Sequence, residues 1–189
     1  IKEIDYVTIA VAANSIDFGD LITPTNYGAG TASSTRGLLI GGYSNPSPQE
    51  NYYTNRIEFI TIATLGDATD FGDYNATNTN QVSAASNSTR GLIWGGGGDG
   101  SNQVNTIDFV TIASTGNATD FGDLSVTRMD LTGVESTTRA VFCGGRTPSC
   151  QNVMDYVTVA STGNAQDFGD ITTARYGTGG CNNNTRGLI

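Results

Sequence analysis

One phrase recurs four times along this chain and governs what it can fold into. It reads AANSIDFGD at 12–20, LGDATDFGD at 65–73, TGNATDFGD at 115–123 and TGNAQDFGD at 162–170. Its phenylalanines, Phe18, Phe71, Phe121 and Phe168, stand 53, 50 and 47 residues apart by subtraction. The arginines of a Thr-Arg pair, Arg36, Arg90, Arg139 and Arg186, stand 54, 49 and 47 apart. A third marker, the acid that opens a β-rich run, falls at Asp5, Glu58, Asp108 and Asp155, again 53, 50 and 47 apart. Markers that drift together define true repeats whose length changes lie in loops. A period near 40–50 residues is that of an array in which each copy is one supersecondary unit.

Each unit reads as four short strands. The first is small and polar, as in QVSAAS (81–86) or YGTGGC (176–181). The second is apolar and ends in two glycines: RGLLIGG from Arg36, RGLIWGG from Arg90, RAVFCGG from Arg139. The third follows a variable loop and is dense in β-branched and aromatic residues: IDYVTIA from Ile4, IEFITIA from Ile57, IDFVTIA from Ile107, MDYVTVA from Met154. Such runs are strong strand signals. The fourth strand carries the FGD phrase, and Gly-Asn or Gly-Asp turns separate it from the third.

An apolar strand ending in Gly-Gly, a loop, an aromatic-bearing strand and a small fourth strand together resemble the kelch repeat of β-propellers. The Gly-Gly pairs are Gly41-Gly42, Gly95-Gly96 and Gly144-Gly145, and the aromatics are Tyr6, Phe59, Phe109 and Tyr156. Where a kelch unit carries tryptophan in its fourth strand, this chain has the FGD phenylalanine. The resemblance implies an all-β fold, a propeller of four four-stranded blades, alone or as part of a larger ring. One domain then spans 1–189, with units at 36–89, 90–138 and 139–185 and a closing blade shared between 1–35 and 186–189. The two termini would pair as a velcro closure. The wording TIASTGNATDFGDL is similar to repeats in tailed-phage structural proteins and in bacterial surface proteins, which implies a virion or extracellular setting. The chain opens on Ile1 rather than Met, as a piece of a longer protein would.

Charge narrows the function classes. Eighteen acids against nine bases give a net charge of −9, and Lys2 is the sole lysine. A nucleic-acid groove needs clustered Lys and Arg, and so does an anionic membrane surface. No apolar run approaches the roughly 20 residues of a membrane-spanning helix. There is no histidine, so a Ser-His-Asp or Cys-His pair is impossible and a general base would have to be a carboxylate. Two acids across a cleft can hydrolyse a glycoside, but nearly every acid here belongs to the fourfold pattern. The chain is therefore expected not to be an enzyme, with a polysaccharide hydrolase as the remote alternative. Cys143 and Cys150 flank a loop that a disulfide could pin, and Cys181 stands apart.

The repeated residues are expected to be structural. Phe18, Phe71, Phe121 and Phe168 would each bury about 150–250 Å² between neighbouring units. Asp17, Asp70, Asp120 and Asp167 would pair with Arg36, Arg90, Arg139 and Arg186 across units. The FGD acids would cap turn amides. No cofactor is expected. The alternative is calcium at Asp120 and Asp123, since paired carboxylates suit a cation that takes 6–8 oxygens. Recognition falls to the unlike loops after Gly-Gly, because repeat scaffolds vary their loops over a fixed core. Tyr43, Tyr52, Tyr53, Trp94 and Asp99 are the candidate ligand contacts. The expected partners are a cell-surface glycan or protein, or other structural subunits in an oligomeric assembly. A purely architectural capsid-decorating or fibre-forming role is the runner-up.

Overall fold

The computed structural model describes residues 2–47, 50–75, 81–97 and 103–189; over 45–52 the side chains lie outside the description. The chain is all-β, and no helix occurs among the described residues. The strands are β1 (Glu3–Tyr6), β2 (Ile16–Asp20), β3 (Ala29–Ala32), β4 (Arg36–Ile40), β5 (Tyr43–Ser47), β6 (Glu50–Tyr53), β7 (Arg56–Thr61) and β8 (Thr69–Asp73). They continue as β9 (Ser83–Ser86), β10 (Arg90–Trp94), β11 (Thr106–Thr111), β12 (Thr119–Asp123), β13 (Thr132–Glu135) and β14 (Arg139–Cys143). The last six are β15 (Arg146–Thr147), β16 (Ser149–Cys150), β17 (Val153–Thr158), β18 (Gln166–Asp170), β19 (Cys181–Asn182) and β20 (Gly187–Leu188).

Three four-stranded antiparallel sheets follow one another, in the orders β3-β4-β7-β8, β9-β10-β11-β12 and β13-β14-β17-β18. Each begins before the Thr-Arg marker, because its first strand precedes that pair. The expected strand at 176–181 shrinks to β19. At the chain's two ends stand half-units, the hairpins β1-β2 and β19-β20. They remain separate two-stranded sheets, so the expected velcro pairing is not made within this chain. Two further hairpins, β5-β6 and β15-β16, lie in the loops between second and third strands.

The recurring phrase turns out to be a β-bulge. Between β7 and β8, Ile57 faces Gly72 and Glu58 faces Asp70, which leaves Phe71 without an opposite residue. The same skip frees Phe121 between β11 and β12, Phe168 between β17 and β18, and Phe18 between β1 and β2. A bulge puts one extra residue on one strand and turns it out of the ladder. The freed carbonyl then faces the next unit. Gly66, Gly116 and Gly163 donate their N–H groups to Phe18, Phe71 and Phe121 at 2.9, 2.7 and 2.7 Å. One step on, Ala68, Ala118 and Ala165 donate to Asp20, Asp73 and Asp123, each at 2.8 Å. The glycine after the phenylalanine is required by this approach. A Cβ at Gly72 or Gly122 would lie 2.5 Å from the carbonyl oxygen of Gly116 or Gly163, at φ of 143° and 146°.

The core lies between sheets. One cluster joins Leu38, Ile57 and Phe71 of the first sheet to Ile93, Val110 and Ile112 of the second. The other joins Leu92, Trp94 and Phe121 of the second sheet to Ala140, Phe142 and Val159 of the third. The middle sheet is therefore buried on both faces, which explains why β10 is apolar from Gly91 to Trp94 rather than alternating. Phe18, Phe71 and Phe121 are 6, 3 and 2% exposed, as expected of them. Phe168 departs from expectation at 47%: the β19-β20 hairpin beside it leaves an open cleft over its ring.

The FGD glycines yield a graded prediction. Gly122→Ala and Gly163→Ala both force a side chain onto positive φ, a strain of about 1–3 kcal/mol. Only Gly122 also faces a neighbouring backbone, whereas nothing lies within 4 Å of a Cβ at Gly163. In urea unfolding, Gly122→Ala should lower stability clearly more than Gly163→Ala.

Candidate functional site

The arginines that mark each unit hold the array together by a different contact from the one expected. The guanidinium carbons of Arg36, Arg90 and Arg139 lie over the rings of Phe59, Phe109 and Tyr156, each 4.7 Å from the ring centre. Those rings in turn meet Phe71, Phe121 and Phe168 edge-on at 5.9–6.0 Å. The guanidinium spans to the next unit, where Arg36 donates to the Ile112 carbonyl at 2.9 Å and Arg90 to that of Val159 at 2.7 Å. No ion pair among the described residues joins Asp17, Asp70, Asp120 or Asp167 to these arginines. The bulge places those acids opposite other acids instead: Asp17 on Asp5, Asp70 on Glu58, Asp120 on Asp108, Asp167 on Asp155.

In the three complete sheets the inner acid of the pair is a latch. Glu58 accepts from the Ile22 amide at 2.9 Å. Asp108 accepts from the amide and side chain of Asn75 at 2.9 and 2.7 Å. Asp155 accepts from Ser125 Oγ at 2.6 Å and from Arg128 Nη2 at 2.7 Å. Burial pushes the Asp108 carboxyl above its ordinary range, the Asn75 bonds oppose the rise, and facing Asp120 adds to it. Arg128 and Asp155 are both wholly buried, and Arg128 also donates to the carbonyls of Gly144 and Val153. Among the described residues, the FGD carboxylates accept from no turn amide in the way expected. Rather, the backbone amides of Asp20, Asp73 and Asp123 donate to Asp67, Asn117 and Asn164.

With the inner repeated acids so engaged, the most varied side chains sit at one end of the sheets, where first strands begin and second strands leave through Gly-Gly. A feature unseen in the sequence marks it. Tyr27, Gln81 and Asp130 take left-handed backbone, at φ of 59°, 56° and 56°, and Gly177 occupies the fourth equivalent place at 65°. Their spacings of 54, 49 and 47 match those of the Thr-Arg arginines. A non-glycine residue there is strained, and such positions cluster where function holds them. They link units too: Gln81 donates to the Tyr27 carbonyl at 3.2 Å, and Gly177 to that of Asp130 at 2.8 Å.

Side chains around this rim are aromatic and polar. Tyr27 and Tyr176 are 66 and 49% exposed. Arg146 Nε binds Asp130 Oδ2 at 2.6 Å while its guanidinium lies 4.9 Å from the centre of Tyr176. Thr147 donates to Gln103 at 2.6 Å, so the second and third loops touch. In the first loop, Tyr43 bridges to Asn26 beside Tyr27, and its ring packs on Tyr53 at 5.6 Å. Fixed rings next to planar amides and a clamped guanidinium can stack on and hydrogen-bond to a polyhydroxylated or peptide surface.

Of the expected contacts, Tyr43 and Tyr53 lie in this region, both half-buried. The side chain of Tyr52, and Asp99 altogether, fall outside the described residues. Trp94 is a correction: it is 1% exposed, packed 4.6 Å from Phe142, with a ring that leaves room only for glycine at Gly133. Sequence reading missed Tyr27, Gln81, Asp130, Arg146 and Tyr176, since these residues differ from unit to unit and only their spacing recurs. Among the described residues, no three acidic or cysteine side chains gather as a metal-ligand set, at Asp120 and Asp123 or elsewhere. All three cysteines are free, and burial pushes the Cys143 thiol up to about 11, so it stays protonated.

The buried latch is testable. Arg128→Ala leaves Asp155 charged without its partner and should cost about 3–5 kcal/mol in chemical unfolding. Arg128→Met combined with Asp155→Leu should recover most of that loss, because replacing both partners removes the stranded charge.

Compared with protein-family models and with curated proteins, the chain matches none.

Proposed function

We propose that this chain is a non-enzymatic recognition module, its sheets the blades of a kelch-like β-propeller arc, which grips a glycan or a protein surface with its loop-bearing end. The observation that carries the reading is the division of labour among residues. Phe18, Phe71, Phe121, Arg36, Arg90 and the acids Glu58, Asp108 and Asp155 are taken up in seams between units, while the strained rim holds unlike exposed side chains, Tyr27 and Tyr176 foremost. Rigid aromatics on a scaffold cost little conformational entropy to present. The Arg146–Asp130 pair orients a donor array beside Tyr176. No cofactor is needed for such binding. A virion or cell-surface setting follows from the likeness of the TIASTGNATDFGDL wording to phage and bacterial surface repeats.

A glycan array, followed by titration calorimetry on the best hit, tests this reading. Tyr27→Ala with Tyr176→Ala should weaken binding at least tenfold, about 1.4 kcal/mol, with little change in melting temperature. Replacing 43–55 by a short Gly-Ser turn should also weaken it. Binding untouched by both changes would contradict a role for this rim.

A further inference from the structure

One pair of side chains on the loop-bearing rim is held in place without spending its outer atoms. Arg146 opens the loop that follows β14, and Asp130 lies in the connection from β12 to β13, between the second and third complete sheets. Arg146 Nε donates to Asp130 Oδ2 at 2.6 Å, and the two side chains are 33 and 13% exposed. The backbones are tied through Met129, whose N–H donates to the Arg146 carbonyl at 3.2 Å while its own carbonyl accepts from the Arg146 N–H at 3.0 Å. The Tyr176 ring backs the guanidinium at 4.9 Å. Both partners are thus fixed before any ligand arrives, and little side-chain entropy is left to lose on binding.

The unspent atoms define what the pair can hold. Among the described residues, Asp130 Oδ1 and the terminal nitrogens of Arg146 have no hydrogen-bond partner. Arg36, Arg56 and Arg90, by contrast, each spend a terminal nitrogen on Ile112, Thr23 and Val159. Asp130 also holds left-handed backbone at φ of 56°, while Gly177 at the equivalent place shows that the fold needs no side chain there. An aspartate carried against strain points to work for its carboxylate.

A carboxylate acceptor and a guanidinium donor side by side match two adjacent hydroxyls, since one hydroxyl can donate while its neighbour accepts. An acidic sugar fits less well. The charge of Arg146 is already matched by Asp130, and the chain carries a net charge of −9. A ligand carboxylate would therefore meet no uncompensated cation. We infer that this pair is the specificity-determining contact of the rim and takes the vicinal diol of an uncharged hexose. One hydroxyl donates to Asp130 Oδ1, and the next accepts from a terminal nitrogen of Arg146. The inference rests on the rim being a recognition surface and adds the class of sugar it selects.

Calorimetry and side-chain NMR test it. Methyl glucoside, galactoside and mannoside, and the matching methyl hexuronides, are titrated into isotope-labelled chain while the Arg146 Nε–H signal is followed. At least one neutral sugar should shift that signal and bind at least tenfold more tightly than its hexuronide. Its analogue lacking one of the paired hydroxyls should bind at least tenfold more weakly. Asp130→Asn keeps an oxygen for Arg146 Nε and suits left-handed backbone, but it turns the open oxygen into a donor. It should weaken the sugar about tenfold with the melting temperature nearly unchanged, and Arg146→Lys, which loses the planar fork, should weaken it too. Preference for the hexuronide, or affinity unchanged in both variants, overturns the inference. If affinity survives both variants yet falls in the Tyr27→Ala, Tyr176→Ala chain, the rim reading stands without this pair. No shift with any of these sugars also overturns the inference, and the rim is then left to a protein surface.

Discussion

The structure depends on a single local irregularity repeated in every unit, the bulge that carries phenylalanine out of the fourth strand. Without it the carbonyls of Phe18, Phe71 and Phe121 would be spent in their own ladders. With it they accept from the glycine amides of the next unit's turn, and the phenylalanine ring swings into the space between sheets. Glycine follows because the neighbouring backbone comes too close for a Cβ. Sequence, backbone geometry and packing thus meet in three residues, and each unit becomes stable only through the one beside it, as in other repeat arrays.

Around that seam the polar groups are satisfied in a consistent way. A buried acid accepts the backbone of the preceding connection, as Asp108 does from Asn75. An arginine stacked on an aromatic ring reaches a neighbouring carbonyl. In the third sheet the latch gains a fully buried cation, Arg128 on Asp155. Groups of this kind, when every bond is made, favour one arrangement over others because each stranded alternative is costly in a low dielectric. The inner acids Glu58, Asp108 and Asp155 are therefore structural, and the rim of left-handed residues is where the scaffold departs from its own repetition.

How much of this was legible from residues alone follows from what a repeat reveals. Strands two, three and four could be read because their β-branched and aromatic runs recur, and the burial of Phe71 and Phe121 followed from their recurrence. The partner of Arg90 could not be read, since an aromatic face and a backbone carbonyl leave no charged signature in sequence, whereas a nearby aspartate does. Sign alone makes Asp17, Asp70, Asp120 and Asp167 the natural partners of the four arginines, and the bulge register puts Asp120 against Asp108 instead. Trp94 looked like an exposed anchor because it sits beside a glycine-rich loop, but its ring faces Gly133 of the next sheet. Tyr27, Gln81 and Asp130 share no chemistry, so only their backbone φ and their spacing betray a common role.

The central claim is that the bulge carbonyls and the turn amides form the cooperative seam between units. Native-state hydrogen exchange on the amides of Gly116 and Gly163 tests it most directly. Protection matching that of Leu92 in the buried second strand, lost only with global unfolding, is the result the account predicts. Exchange of these two amides at the rate of exposed turns, while Leu92 stays protected, would contradict it.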